Sequence, residues 1–482
     1  MRRSLPQEVF HPLPTASMGR GEGGEVQEPD AAIEGGRLLS STSKPPSEKI
    51  LLEGPAPATP PFSSSQLLVR SDEGLHPLRG WWVQSALWGA AQVWSRALGF
   101  LQSLLLARWL GPEDFGRFTV LQSWLILTHQ SGSSGLSSLM VRDLARADRP
   151  RVRLYLLIQI GWVLLILAIA VILSFTDYVP PSIRGDLPFL TALLLPMVWL
   201  TWQGTRLTAA GRLERAAGML FFTRTVGLTV MTLAARYGWT ALWLGFAGMI
   251  VLDGIGLRWM ADRFSAPLSG RSGGEPMRAP GALREGLRML GFGIVGALYA
   301  RADSLMLLTW RGPVEAGFYG LAYRFYEAGL LLSNALFTAI LPHLAMEAHP
   351  ERRAHRLLKI LLGLAALSAL GLTFLADPLI RLPFGSAYQP AIPMLRGLVW
   401  AWPPAFLSSL GSAIWIARGR SDRLFRAFLF GTALNLALNA LLIPRWGGMG
   451  AALAMLGSSW GMGILFLPAF HDASRPQDPG KG

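Results

Sequence analysis

Apolar runs of about 20 residues recur from Trp81 almost to the end of the chain, and a helix of about that length is what the hydrocarbon core of a bilayer requires. Twelve such runs can be placed. They fall near 83–108, 117–140, 154–175, 187–208, 216–235 and 240–259, then near 286–308, 317–342, 357–377, 390–415, 424–443 and 448–468. The fold expected is all-α, a polytopic membrane protein. Composition agrees, since only 15% of the 482 residues are charged, against about 25% in soluble domains. The chain has no cysteine, and its seven histidines contain no HExxH or comparable spacing. Disulfides, thiolate zinc sites and iron–sulfur clusters are excluded, and no metal or cofactor is expected.

A net charge of +14 is compatible with nucleic acid, anionic lipid or a topology signal, and the placement of the arginines decides among these. The connections after the even-numbered runs hold 22 arginines and lysines, among them Arg142, Arg153, Arg212, Arg278, Arg353, Lys359 and Arg423, whereas the odd connections hold 7. Positive residues near a span stay on the cytoplasmic side, so both termini are expected in the cytoplasm. Most of the basic excess is then topology, and no nucleic-acid partner is needed.

The chain also repeats itself. WLGPEDFGRF from Trp109 matches WRGPVEAGFY from Trp310 at an offset of 201, and RYGWTAL from Arg236 is echoed by RWGGMGA from Arg445. Two six-helix bundles follow, over 81–265 and 286–470, joined by a cytoplasmic linker at 266–285 and followed by a short tail at 471–482. Each bundle holds an even number of spans and starts on the same side. They should therefore be parallel repeats related by an axis along the membrane normal, an arrangement found in transporters. Residues 1–80 are rich in Pro, Gly, Ser and Glu; they read as a disordered tail, or as a stretch ahead of a start codon further downstream.

The segment LARWLGPEDFGRFTVLQSW, with SGSSGLSSLMVRDLAR after it, resembles the first helical hairpin of the Wzx-like oligosaccharide and polysaccharide flippases, in the multidrug/oligosaccharidyl-lipid/polysaccharide exporter superfamily. ARADSLMLLTWRGPVEAGFYGLAYRFYEAGLLLSNALFTAILPHLA is similar to that family's seventh and eighth helices. The resemblance spans 81 to about 468. It implies a flippase that moves a polyprenyl diphosphate-linked oligosaccharide across the cytoplasmic (inner) membrane by alternating access, with a cavity lined by helices 1, 2, 7 and 8. The partners implied are that substrate, membrane lipids and a polysaccharide polymerase or export machinery.

Ionisable residues inside spans are costly and point to function by default. In helix 1, Ser85, Gln92, Ser95, Arg96, Gln102 and Ser103 are spaced by threes, fours and sevens, as along one face. A water-filled cavity can solvate such a stripe and lipid cannot; polar glue between packed helices is the alternative. Helix 2 carries Gln122, His129 and Ser133. His129 is either a proton-sensing group or a hydrogen-bonded packing residue. In helix 7, Arg301 and Asp303 lie about 200° apart and need separate partners, while Arg324 and Glu327 in helix 8 can pair at i, i+3. The candidate substrate residues are Gln92, Arg96, Gln102, His129, Arg301 and Arg324; Asp303 and Glu327 are candidates for ion coupling or for holding an arginine. Arg224 is placed to enter a cavity, and Arg396 is close enough to the outer surface to snorkel. Asn435 and Asn439 are expected to bridge helices, and Pro196 and the Pro403–Pro404 pair to bend helices 4 and 10.

No Walker-type phosphate loop is present, so ATP is excluded as the direct energy source. A membrane-bound glycosyltransferase or polymerase would need an ordered extramembrane loop, and the external loops are mostly under about 15 residues. A cation-coupled drug exporter of the same superfamily would want carboxylates for its cargo. Here the deep charges are mostly Arg96, Arg224, Arg301 and Arg324, which favours an anion.

Overall fold

The structure, a computed structural model, describes residues 77–145, 148–210, 213–264, 279–346 and 350–471. Residues 1–76 of the expected tail, 266–278 of the linker and 472–482 of the C-terminal tail lie outside the described residues, while 77–80 and 279–285 are helical. So do the side chains of Gln92 and Asn334. Helices account for nearly all of what is described, with no strand among those residues.

In chain order the helices are α1 (Pro77–Ala145), α2 (Arg149–Ser174), α3 (Pro181–Arg184), α4 (Asp186–Ala192), α5 (Leu194–Ala209), α6 (Leu213–Ala234) and α7 (Trp239–Phe264). They continue with α8 (Ala279–Arg311), α9 (Pro313–Met346), α10 (Pro350–Phe384), α11 (Ala391–Val399), α12 (Trp402–Ala417) and α13 (Ser421–His471). Among the described residues, seven stretches are long and apolar enough to cross a membrane: Pro150–Ser174, Pro181–Ala209, Ala217–Tyr237, Trp239–Arg263, Gly281–Arg311, Arg356–Phe384 and Ser421–Phe470. Large apolar side chains cover the outside. Leu157, Ile172, Leu367 and Phe374 are 65%, 62%, 67% and 75% exposed, which suits lipid and is costly in water.

Breaks in the helices follow glycine and proline. α1 folds back on itself at Gly111, whose φ of 73° and ψ of 175° lie where only glycine is unstrained, and Pro112 starts the second arm. The repeat-related turn between α8 and α9 uses Gly312, φ 86°, followed by Pro313. Pro196 lacks the N–H that would bond the Ala192 carbonyl, and the helix is interrupted at Leu193 between α4 and α5. Pro403 and Pro404 have the same effect on the carbonyls of Val399 and Trp400, where α11 gives way to α12.

The two halves meet along α1, α8 and α9. At the Gly111 end the contact is reciprocal: a Cβ on Gly116 would overlap the carbonyl oxygen of Pro313, and one on Gly317 would overlap that of Pro112. Tyr388 reinforces this end by donating to the Ala107 carbonyl at 2.8 Å. At the other end, the second arm of α1 runs against α8. There a Cβ on Gly135 or Gly293 would press on the carbonyl of Met289 or Ser131. Arg142 locks this end, donating to Glu285 of α8 at 2.7 and 3.1 Å and to the buried Asp143 at 2.7 and 3.1 Å. Those bonds, Glu285 first, raise the pKa of the Arg142 guanidinium above its ordinary value and keep it charged.

Candidate functional site

Between the two closed ends, α8, α9 and the second arm of α1 bring charges together. Arg301 projects from α8 and donates through Nη2 to Glu327 of α9. Arg324, one turn before Glu327 on α9, donates through Nη1 to its other oxygen at 3.1 Å. The second Nη of Arg324 reaches across the seam to Gln122 Oε1 on α1. Two guanidiniums therefore share one carboxylate, and the cluster keeps one positive charge.

The arginines are largely withdrawn from solvent, with side chains 8% and 13% exposed, while Glu327 is 30% exposed. Each guanidinium still holds a spare donor, because the Nε atoms of both Arg301 and Arg324 are buried without a hydrogen-bond partner. A buried donor left unpaired costs roughly 1–3 kcal/mol. Supporting groups fix the geometry. The Arg301 Cζ lies 5.2 Å from the centre of the Tyr323 ring, Tyr323 donates to the Ala300 carbonyl at 2.9 Å, and Trp402 holds α9 by donating to the Tyr326 carbonyl at 3.0 Å.

The remaining candidate residues take other places. Arg96 is exposed and has no hydrogen bond or ion pair among the described residues. It lies one turn before Phe100 on the same face of α1, and Phe100 meets Phe325 of α9 edge to face at 5.3 Å, so Arg96 faces the same seam. Gln102 is 240° around the helix from Arg96; it is buried and its Nε2 lies 3.5 Å from the Leu228 carbonyl of α6. The polar stripe of helix 1 thus divides between the seam and the interior of the first half. His129 also turns inward, bonding Thr201 of α5 at 3.0 Å and lying 3.5 Å from Ser133. Asp303, on the far side of α8 from Arg301, is fully buried and accepts from Tyr319 and from the Ser304 backbone at 2.6 Å. The site therefore gathers Arg301, Arg324 and Glu327, with Arg96 along the same seam, and leaves Gln102, His129 and Asp303 inside the separate halves.

Two groups were missed by the sequence reading. Tyr319, Tyr323 and Tyr326, at i, i+4 and i+7 on α9, form a ladder of rings with centres 5.6 and 5.4 Å apart beside Arg301, and their helical spacing was the available signal. Asp253, a lone carboxylate in the apolar run of α7, pairs with Arg224 of α6 at 2.8 Å.

A family model described as "Polysaccharide biosynthesis protein" matches residues 84–347, and one described as "Lipid II flippase MurJ" matches residues 318–473. No curated protein matches. Among solved structures, the lipid II flippase MurJ in its inward closed conformation is similar at a TM-score of 0.64 and 19% identity, over 81% of this chain and 90% of that one. An inward-facing multidrug resistance MATE family transporter of the MOP superfamily is similar at 0.59 and 14%, over 79% and 94%. A MOP superfamily transporter from Pyrococcus furiosus, whose title describes a binding pocket of reverse polarity, follows at 0.51 and 15%, over 81% and 95%. At these identities the likeness is one of fold.

Proposed function

Because this chain belongs to the polysaccharide biosynthesis protein family, we propose that it is a flippase carrying a polyprenyl diphosphate-linked oligosaccharide across the cytoplasmic membrane by alternating access. It is a multi-pass membrane protein and a transporter, not an enzyme. In this reading the chain makes twelve passes with both termini in the cytoplasm: the two arms of α1, then α2, α3 to α5, α6 and α7, then α8, α9, α10, α11 to α12 and the two arms of α13, which divide at Gly447 (φ 55°). A polysaccharide polymerase or export system on the far side then consumes the product.

One observation carries the choice of substrate class. Arg301 and Arg324 share the single carboxylate of Glu327 and each keeps a buried, unpartnered Nε. Such a cluster carries surplus positive charge, and a diphosphate supplies several oxygens, pairs of which match the planar two-pronged fork of a guanidinium. Gln122, whose Oε1 accepts from Arg324, keeps its amide N–H groups for a glycan. A drug exporter needs surplus carboxylate for a cationic cargo, and the cluster has the opposite balance. Moving an anion outward across an inside-negative membrane is favoured by about 2.3 kcal/mol per charge per 100 mV, which contributes to driving the cycle.

The test uses the full chain in vesicles loaded with a labelled polyprenyl diphosphate-linked sugar, with the glycan's exposure followed by an enzyme that cannot cross the membrane. Protein-dependent appearance of the glycan on the opposite face is expected. Transport of an apolar cation with no movement of the lipid-linked sugar would replace this reading with the drug exporter.

A further inference from the structure

A second charged pair lies outside the seam, inside the first half. Asp253 sits in the apolar stretch of α7 with its side chain 0% exposed. Arg224 Nε is 2.8 Å from Asp253 Oδ2, yet neither carboxylate oxygen has a hydrogen-bond donor in suitable geometry. The contact is therefore one of charge alone. An ionised carboxylate that is buried without hydrogen bonds is among the costliest groups a protein can hold, and taking up a proton removes that cost.

Among the described residues, Arg224 is the one charged group paired with Asp253. From α6 the residue beside Arg224 is Thr223, whose hydroxyl is within reach of the carboxylate but donates to the Met219 carbonyl at 3.0 Å. From α5 it is the Trp199 ring, packed at Gly254. His129 of α1 is engaged with Thr201 of α5. The remaining charges form a separate group about two and a half turns along α7, where Arg206 and Arg258 hold Asp262 at 2.9 and 3.5 Å.

Arg224 lies on the packed face of its helix. On α6 it shares a face with the buried Ala217, Leu228 and Met231, whereas Phe222, Val230 and Leu233 occupy the opposite, exposed face. Despite lying on the packed side, the Arg224 side chain is 31% exposed, which in a helix bundle marks an opening between helices. One turn further along, Gln102 from the polar side of α1 approaches the Leu228 carbonyl, so the opening is bordered by polar groups of α1. The guanidinium makes its single charged contact through Nε, and its two Nη groups have no ion-pair partner among the described residues.

We propose that Asp253 is a proton-binding site whose protonation frees Arg224 to hold the anionic headgroup of the transported lipid. With Asp253 ionised, Arg224 is neutralised by it. With Asp253 protonated, the carboxyl is neutral and the guanidinium exchanges that partner for phosphate oxygens, so one proton taken up accompanies one anion bound. The identity of the anion rests on the flippase reading; the proton site does not.

Two measurements separate these parts. Infrared difference spectra of the purified full chain, acidic minus alkaline and without ligand, should contain a protonated-carboxyl band that is missing in Asp253→Asn. In Arg224→Gln the same band should appear at higher pH, because the cation that favours the ionised form is gone. Spectra identical in wild type and both variants would overturn the proposal. Next, binding of a short-chain prenyl diphosphate to nanodisc-embedded protein is followed by calorimetry in buffers of different ionisation enthalpy. Wild type should take up about one proton more per ligand than Asp253→Asn, and Arg224→Gln should bind about tenfold more weakly at acidic pH. Equal proton uptake and affinity in all three would refute the exchange of partners. A carboxyl band that behaves as expected, with no prenyl diphosphate binding to wild type, would instead remove the flippase reading and leave the proton site standing.

Discussion

At the offset of 201 residues, Arg301, Asp303, Arg324 and Glu327 of the second hairpin, α8 and α9, correspond to Phe100, Gln102, Ser123 and Ile126 of the first, the two arms of α1. The backbones of the hairpins are built alike, down to a left-handed glycine at each turn and the reciprocal fit of Gly116 on Pro313 and Gly317 on Pro112. Their interiors differ in kind. The second hairpin supplies the charged cluster, while the first contributes Gln122, the Phe100 ring and the exposed Arg96. Duplication has kept what positions the seam and left the chemistry free to diverge, which is why the backbone signature repeats and the site does not.

If the shared backbone is what holds the halves together, the largest effects should come from its closest points. Gly116→Val and Gly317→Val each push side-chain carbon into a main-chain carbonyl that cannot swing aside. Each should destabilise by about 3 kcal/mol, the upper end for overpacking, visible as a matching loss of thermal stability in detergent. Very unequal losses would break the symmetry argument. Gly111→Ala and Gly312→Ala meet open space and should cost only the left-handed strain, about 1–2 kcal/mol. The smallest effect belongs to the opposite end of the seam. Arg142 and Glu285 are 30% and 28% exposed, so Glu285→Gln should weaken closure by about 1 kcal/mol. A cysteine placed at Met289 should then label several-fold faster than in an otherwise wild-type background, and an unchanged rate would show that this ion pair does not hold the end shut.

Much of this was readable from the amino-acid order, because it depends on local rules. The WLGP and WRGP turns, the interruptions ahead of Pro196 and Pro403, and the placement of Arg301 and Arg324 within long helices all follow from residue type and helical period. The Asn435 and Asn439 pair also bonds as helical spacing allows, with Asn435 reaching Ser458 on the other arm of α13 at 3.0 Å. Partners between helices were not readable. Glu327 pairs with Arg324 on its own helix, as spacing permits, but also with Arg301 of α8, which only the packing supplies. Polar periodicity likewise cannot distinguish a face lining a cavity from one bonding a neighbouring helix, since both exclude lipid. Gln102 and His129 are of the second kind. Asp253 escaped notice because a single carboxylate in an apolar run has no pattern around it; its meaning comes from Arg224 on the next helix.

In the proposed flippase the second hairpin's arginines form the anion site and the equivalent positions of the first do not. Affinity for a prenyl diphosphate, measured on nanodisc-embedded protein for wild type, Arg301→Gln, Arg324→Gln and Phe100→Leu at equal folded amounts, tests it most directly. Each charge-assisted contact contributes roughly 1.5–3 kcal/mol, so either arginine variant should bind about tenfold to more than a hundredfold more weakly, with Phe100→Leu close to wild type. Unchanged affinity in both arginine variants would make the Arg301–Glu327–Arg324 cluster a packing device and place the anion elsewhere.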